Sequence, residues 1–205
     1  MAAAFLRDVT DNIANAAAEL PIDGWVAYAP AGDEHLFDGM LAPGTQLLLA
    51  DGVGEDAPDV VGFGRCLLQA TRKLLDMGYA GACVLNADSP TLPTAHLTDL
   101  ADKLLGGTDA VLGAAEDGGY YVLGLRTAHP RLFADISWSS SEVADQTRAR
   151  AADLRITLAE LPVWYDVDDR AALSRLLTEL AHDPTLAPST RATIAQLGIA
   201  QLGIT

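Results

Sequence analysis

Positive charge is scarce in this chain, and lysine above all. Its only lysines are Lys73 and Lys103, and with eleven arginines they face 28 acidic residues, for a formal net charge of -15 at pH 7. Nucleic acids and anionic membranes both need a positive footprint, so neither is expected as a partner. An anionic small molecule stays open if a cation, an arginine or backbone N–H groups offset its charge locally. Cysteine is equally scarce: Cys66 and Cys83 stand far apart in apolar runs, which predicts buried free thiols in a reducing, cytoplasmic compartment. His35, His96, His129 and His182 have no metal-ligand spacing, and neither Gly-x-Ser-x-Gly nor Cys-x-x-Cys occurs, which leaves no case for a zinc site or a serine hydrolase. No apolar run approaches membrane-spanning length, and Arg7, Asp8 and Asp11 come too early for a signal-peptide core.

What is present is apolar patterning. Half of the 205 residues are hydrophobic, enough for one ordinary domain with a substantial core, expected over 1–183, with a helical tail over 184–205. Residues 2–20 and 60–77 carry apolar side chains at helical spacing, closed by Pro21 and Gly78. "WVAYAP", "QLLLAD" and "GACVLNAD" read as strands, the second apolar enough for burial on both faces. "DAVLGAA" and "YYVLGLR" are strands split by the turn "EDGG", followed by helical "SEVADQTRARAA", strand "LRITLAEL" and a helix from about Asp169. Strands alternating with helices predict a three-layer α/β fold on a mainly parallel, mixed sheet with one antiparallel excursion. The closing "IAQLGIAQLGIT" is an imperfect duplication suited to packing or a frayed end.

In open α/β sheets, ligands bind outside the carboxyl ends of strands. Asp88, in "CVLNADSPTLP", stands at such an end: it is either an Asx-turn residue or a metal ligand. In "EDGGYYVLGL", Gly118 and Gly119 allow positive φ and close backbone approach, with Asp117 and Tyr120 or Tyr121 beside them, although a plain hairpin turn also favours these residues. "VWYDVDDRAALSRLL" sets Asp166, Asp168 and Asp169 where a strand passes into a helix. Asp168 as N-cap and Asp169 in the first turn explain two acidic groups but not a third, and three such groups repel unless solvated or sharing a cation. Mg²⁺ takes one or two carboxylates plus substrate phosphates, which Asp88 and Asp168 supply if their strand ends are neighbours. In "ISWSSSEVADQT", Trp138 is large enough to stack on a sugar or base or to serve the core, and Ser139 with Glu142 could form a capping box.

Four motifs in order, "NADSPTLP", "AEDGGYYVLGL", "ISWSSSEVADQT" and "YDVDD", resemble the bacterial glycosyltransferase-like proteins of the nucleotide-diphospho-sugar transferase superfamily. These are related to phospholactate and molybdenum-cofactor guanylyltransferases. The resemblance implies a glycosyltransferase-A fold, a nucleotide-activated donor, an unnamed small-molecule acceptor and Mg²⁺ or Mn²⁺. It maps the metal onto Asp88 and Asp168, with Asp166 as near alternative, and catalysis onto Asp88 and Asp117. Substrate contacts map onto Arg65, Asn86, Ser89, Pro90, Gly118, Gly119, Tyr120, Trp138 and Ser139. Relatives open with a strand and a basic loop around the donor phosphates, which do not precede the helix at Ala2 here, so Arg65 and Arg126 are left to meet that charge. Glycosyl transfer is favoured over nucleotidyl transfer, with a non-catalytic scaffold as the alternative. A homo-oligomer is compatible with this reading. An aspartate-dependent phosphatase would need "DVDD" after the first strand, whereas it follows nearly the last.

Overall fold

A computed structural model describes residues 1–54 and 56–198. The chain runs α1 (Ala2–Ala17), β1 (Trp25–Tyr28), β2 (Gln46–Leu49), α2 (Phe63–Asp76), β3 (Ala82–Leu85), α3 (Thr94–Leu105), β4 (Ala110–Ala114), β5 (Tyr120–Leu125), α4 (Val143–Leu154), β6 (Leu158–Glu160), α5 (Arg170–His182) and α6 (Pro188–Leu197). The main sheet has the order β3-β5-β4-β6. Three of its strands point one way, while β5 runs against both β3 and β4, and β4 pairs β6 in parallel. The antiparallel excursion is therefore the central seam of the sheet, because the "EDGG" turn folds β5 back between β4 and β3.

β4 is buried at every position, as its unbroken apolar run "AVLGA" requires. Alternation along it serves two cores. Ala110, Leu112 and Ala114 pack with Leu68 of α2, Ala144 and Ala151 of α4 and Leu132–Phe133. Val111 faces the other way, toward Leu97, Leu100 and Leu104 of α3 and Ala16 of α1. Helices thus cover both faces, giving the expected three-layer α/β fold. Gly113 is demanded by packing: a Cβ there would lie 2.3 Å from the Tyr121 ring, which crosses the backbone at the Gly113/Ala114 bulge. The tail does not stand apart in space. α6 packs with α1 and α5 through Ile194, Phe5, Leu176 and Leu180, and the two Asp8 carboxylate oxygens accept from the amides of Ser189 and Thr190. The second half of the terminal duplication, 199–205, lies outside the described residues.

β1 and β2 pair only with each other, in parallel, so neither β1 nor β3 has a second strand partner among the described residues. This corrects two expectations. β2 is only partly buried, with Leu48 alone fully enclosed, because a two-stranded sheet offers one neighbour. Cys83 is exposed rather than buried, since it sits mid-strand on the open edge of β3. Its sulfur is nonetheless tucked over Gly124, and desolvation there pushes the thiol up to about 12, so it stays protonated. Cys66 is half-buried, and both cysteines are free.

Candidate active site

The site forms where β3 gives out. Pro93 precedes α3 in extended conformation, and the intervening turn is fastened across the fold to the segment ahead of α5. Val167 N donates to Asp88 O at 2.9 Å, and the buried Ser89 hydroxyl donates to Tyr165 O at 2.9 Å. The turn after β3 and the segment ahead of α5, nearly eighty residues apart in sequence, are thereby neighbours, as pairing Asp88 with Asp168 requires, although β6 itself ends earlier, at Glu160. The β4–β5 turn joins them through Glu116 N, which donates to Trp164 O at 3.0 Å.

One oxygen from each of Asp117, Asp166 and Asp168 falls within a single group no more than 4.8 Å across. Asp88 stands beside this group rather than in it, close enough for its charge to act on Asp166. The carboxyls repel one another. Asp166 sits above the usual carboxylate range through burial first, then the charges of Asp117, Asp168 and Asp88. Asp88 is exposed as a residue at the rim, yet its carboxyl is also raised, by loss of hydration on its inner side and by Asp168. An all-carboxylate oxygen set suits a hard divalent ion, with room left for ligands from a substrate.

Asp168 is available because the capping role falls to its neighbour. Asp169 Oδ1 accepts from Ala172 N at 2.7 Å, so Asp169, not Asp168, is the N-cap of α5. Ser139 likewise builds no capping box: Glu142 begins α4 without a side-chain cap bond, and Ser139 instead adopts a left-handed φ of 64°. Asp117 Oδ1 accepts from Gly119 N at 2.8 Å, an Asx turn that fixes the carboxylate's direction.

A cavity of about 280 Å³ opens beside the acidic group. Of the residues singled out from the sequence, Asn86, Asp88, Asp117, Gly119, Tyr120, Trp138, Ser139 and Asp166 line it. Its opposite wall is apolar, with Phe63 edge-on to Trp138 at 5.5 Å and Tyr120 edge-on to Trp138 at 6.5 Å. Trp138 both lines the cavity and packs against the core, so the two sequence readings of it are compatible. The Asn86 Oδ1 and Tyr120 Oη atoms are buried without a hydrogen-bond partner among the described residues, and burial pushes the Tyr120 phenol well up, so it stays protonated.

Other expected residues stand elsewhere. Ser89 and Pro90 are buried beneath the cavity, with the Ser89 hydroxyl spent on Tyr165. Gly118 turns away at φ 91°, and a Cβ there would lie 2.1 Å from Ser141 O; this glycine is required by a close backbone approach rather than by a ligand. Arg65 is not among the lining residues. Arg126 lies beyond the far end of β5 from Tyr120, about 20 Å away along the strand direction, and donates to Gly107 O. It cannot serve donor phosphates at this cavity. Sequence reasoning did not single out Phe63, Leu67, Val84, Leu85, Ser140 and Val143 in the lining. Phe63 and Leu67 left a trace only as apolar positions of the 60–77 helical pattern.

The described residues hold no helix long and apolar enough to cross a membrane. Similarity to solved structures extends over nearly the whole chain. The crystal structure of a protein from Desulfovibrio desulfuricans, provisionally assigned as a nucleotide-diphospho-sugar transferase, superposes with a TM-score of 0.75 at 24% identity, covering 94% of this chain and 82% of that one. This likeness shows the fold, of glycosyltransferase-A type. No curated protein matches the sequence. A family profile described as "Uncharacterized protein conserved in bacteria (DUF2064)" matches residues 12–140, more than half of the chain, from within α1 through the Trp138 loop, and the chain belongs to that family.

Proposed function

We propose that the protein is a metal-dependent transferase acting on a nucleotide-activated donor, with transfer of a sugar favoured over transfer of a nucleotidyl group. The observation that carries this reading is the convergence of Asp117, Asp166 and Asp168, from two separate loops, at the mouth of a cavity that Asp88 also lines. Asp117, Asp166 and Asp168 would hold the ion, with Asp88 at their side. Bound there, Mg²⁺ or Mn²⁺ would offset charge on donor phosphates and stabilise the leaving group.

The chain's own residues contribute the remaining functions. The Phe63–Trp138–Tyr120 wall excludes water and offers faces for a ring to stack on. Asn86 lies on the same side as the aspartates and can accept a hydrogen bond from a substrate hydroxyl. Asp117 sits at the edge where an acceptor would approach. Asp88, whose carboxyl is raised and which stands outside the three-carboxylate group, is the candidate proton acceptor from the attacking group.

One observation favours a second reading, a non-catalytic member of the fold acting as scaffold. None of the residues lining the cavity is lysine or arginine, so a diphosphate would rely on the ion and backbone amides alone. Calorimetric titration with UDP-sugars, GDP-sugars, GTP and CTP, with and without Mn²⁺, separates the two. Metal-dependent binding of one donor supports the transferase. Silence toward every donor, with Mn²⁺ still bound, supports the scaffold.

A further inference from the structure

The three segments that carry the aspartates end in side chains of like charge, and something must hold them together against that repulsion. The 115–119 turn, the 164–168 segment and the 86–91 segment all touch one pair of residues on α5 that lies outside the cavity. Arg175 Nη1 donates to Glu116 Oε1 at 2.8 Å, in the turn that carries Asp117. The same guanidinium lies 3.8 Å over the ring of Tyr165, the neighbour of Asp166, and 5.7 Å from that of Trp164. Arg175 Nε donates to Glu179 Oε1 at 3.0 Å, one helical turn on. Glu179 Oε2 in turn accepts from Tyr165 Oη at 2.6 Å and from Thr91 Oγ1 at 2.9 Å, three residues past Asp88.

We propose that Arg175, supported by Glu179, is a positioning residue that holds the Asp117 turn against the Asp166–Asp168 segment and so maintains the spacing of the carboxylates. The inference rests on the metal reading above for its purpose, but not for its geometry. An isolated exposed ion pair of this kind contributes little stability. Arg175 differs in joining separate segments through a planar fork and a stacked face, which lysine cannot reproduce. One of its partners, Tyr165, is enclosed at only 3% exposed, so the brace is anchored in the core at one end and reaches the aspartate turn at the other.

Three variants test this: Arg175→Lys, which keeps the charge and loses the fork; Glu116→Gln, which removes the charge from the arm to the turn and weakens it without touching the other contacts; and Arg175→Ala. Two measurements are made on each: amide hydrogen exchange at residues 115–119, and Mn²⁺ affinity by calorimetry. We expect exchange at the turn to rise by about tenfold in Glu116→Gln and Arg175→Ala, with the melting temperature within about 2 °C of the parent. Mn²⁺ affinity should fall by roughly tenfold or more, as for other groups that orient ligands without touching the ion, and Arg175→Lys should rescue neither property fully. Unchanged exchange at the turn in both Glu116→Gln and Arg175→Ala overturns the brace. Should the parent bind no Mn²⁺, the metal reading falls, while the exchange result still decides whether Arg175 holds the turn.

Discussion

Val167 N donates to Asp88 O at 2.9 Å, and this single backbone bond ties the carboxyl end of β3 to the segment that carries Asp166 and Asp168. It fixes main chain rather than side chain, so the aspartates on either side can be replaced without dismantling the junction. Substitutions at Asp88, Asp166 and Asp168 are therefore informative about chemistry.

Asp88→Ala should retain the fold and lose metal-dependent donor binding. Since Asp88 lies beside the three-carboxylate group, Mn²⁺ affinity itself should drop by about ten- to a hundredfold rather than vanish. Calorimetry with Mn²⁺ alone and then with donor separates the two effects; unchanged donor binding would sink the assignment.

Asp168 and Asp169 are adjacent and chemically identical, yet should behave oppositely. Asp169→Ala removes the α5 cap and should cost about 1 kcal/mol in urea unfolding while leaving Mn²⁺ binding intact. Asp168→Asn should leave unfolding nearly unchanged and weaken Mn²⁺. A swap of these outcomes would move the ligand to Asp169.

The raised carboxyl of Asp166 gives a pH dependence of definite sign. A carboxyl whose folded pKa exceeds its unfolded value contributes stability that is complete below the unfolded value and disappears as pH rises through the folded one. Without metal, Asp166→Asn should therefore melt above the parent at pH 7, by about 2 °C, with the difference closing toward pH 4 as the parent carboxyl protonates. Mn²⁺ should reverse the order at pH 7, because it stabilises only the protein that binds it. Differential scanning fluorimetry over this range, with EDTA or Mn²⁺, checks both signs.

Gly118→Ala should destabilise the chain by at least about 2 kcal/mol, since the residue combines a φ of 91° with a backbone oxygen 2.1 Å from the added Cβ. Gly119→Ala meets only the Asp117 carboxylate, at 3.1 Å, and should cost less while disturbing Asp117 and hence Mn²⁺ binding. Chemical unfolding of the pair reads the contrast.

The two glycines show where sequence reading stops. "DGGY" announces a turn, but which glycine faces the cavity and which a neighbouring backbone depends on Ser141, a loop away. "DVDD" likewise offers three acids and one capping role, and the role went to the third because α5 starts at Arg170, one residue later than an Asp168 cap would require. From sequence, Arg126 is one of two arginines left to meet donor charge; the antiparallel course of β5 carries it to the opposite end of the sheet.

By itself, the sequence determined the α/β alternation, the reversal at "EDGG", the acidic character of the site and the placing of Asp88 at a strand end. Each follows from local periodicity, turn chemistry or charge. Tertiary structure alone decided which carboxylates meet, because that depends on backbone bonds between segments nearly eighty residues apart and on the α5 side chains that fasten them. It also decided that Cys83 and β2 lie at open edges, since apolar residues in a strand report what a sheet could bury and not how many neighbouring strands it has.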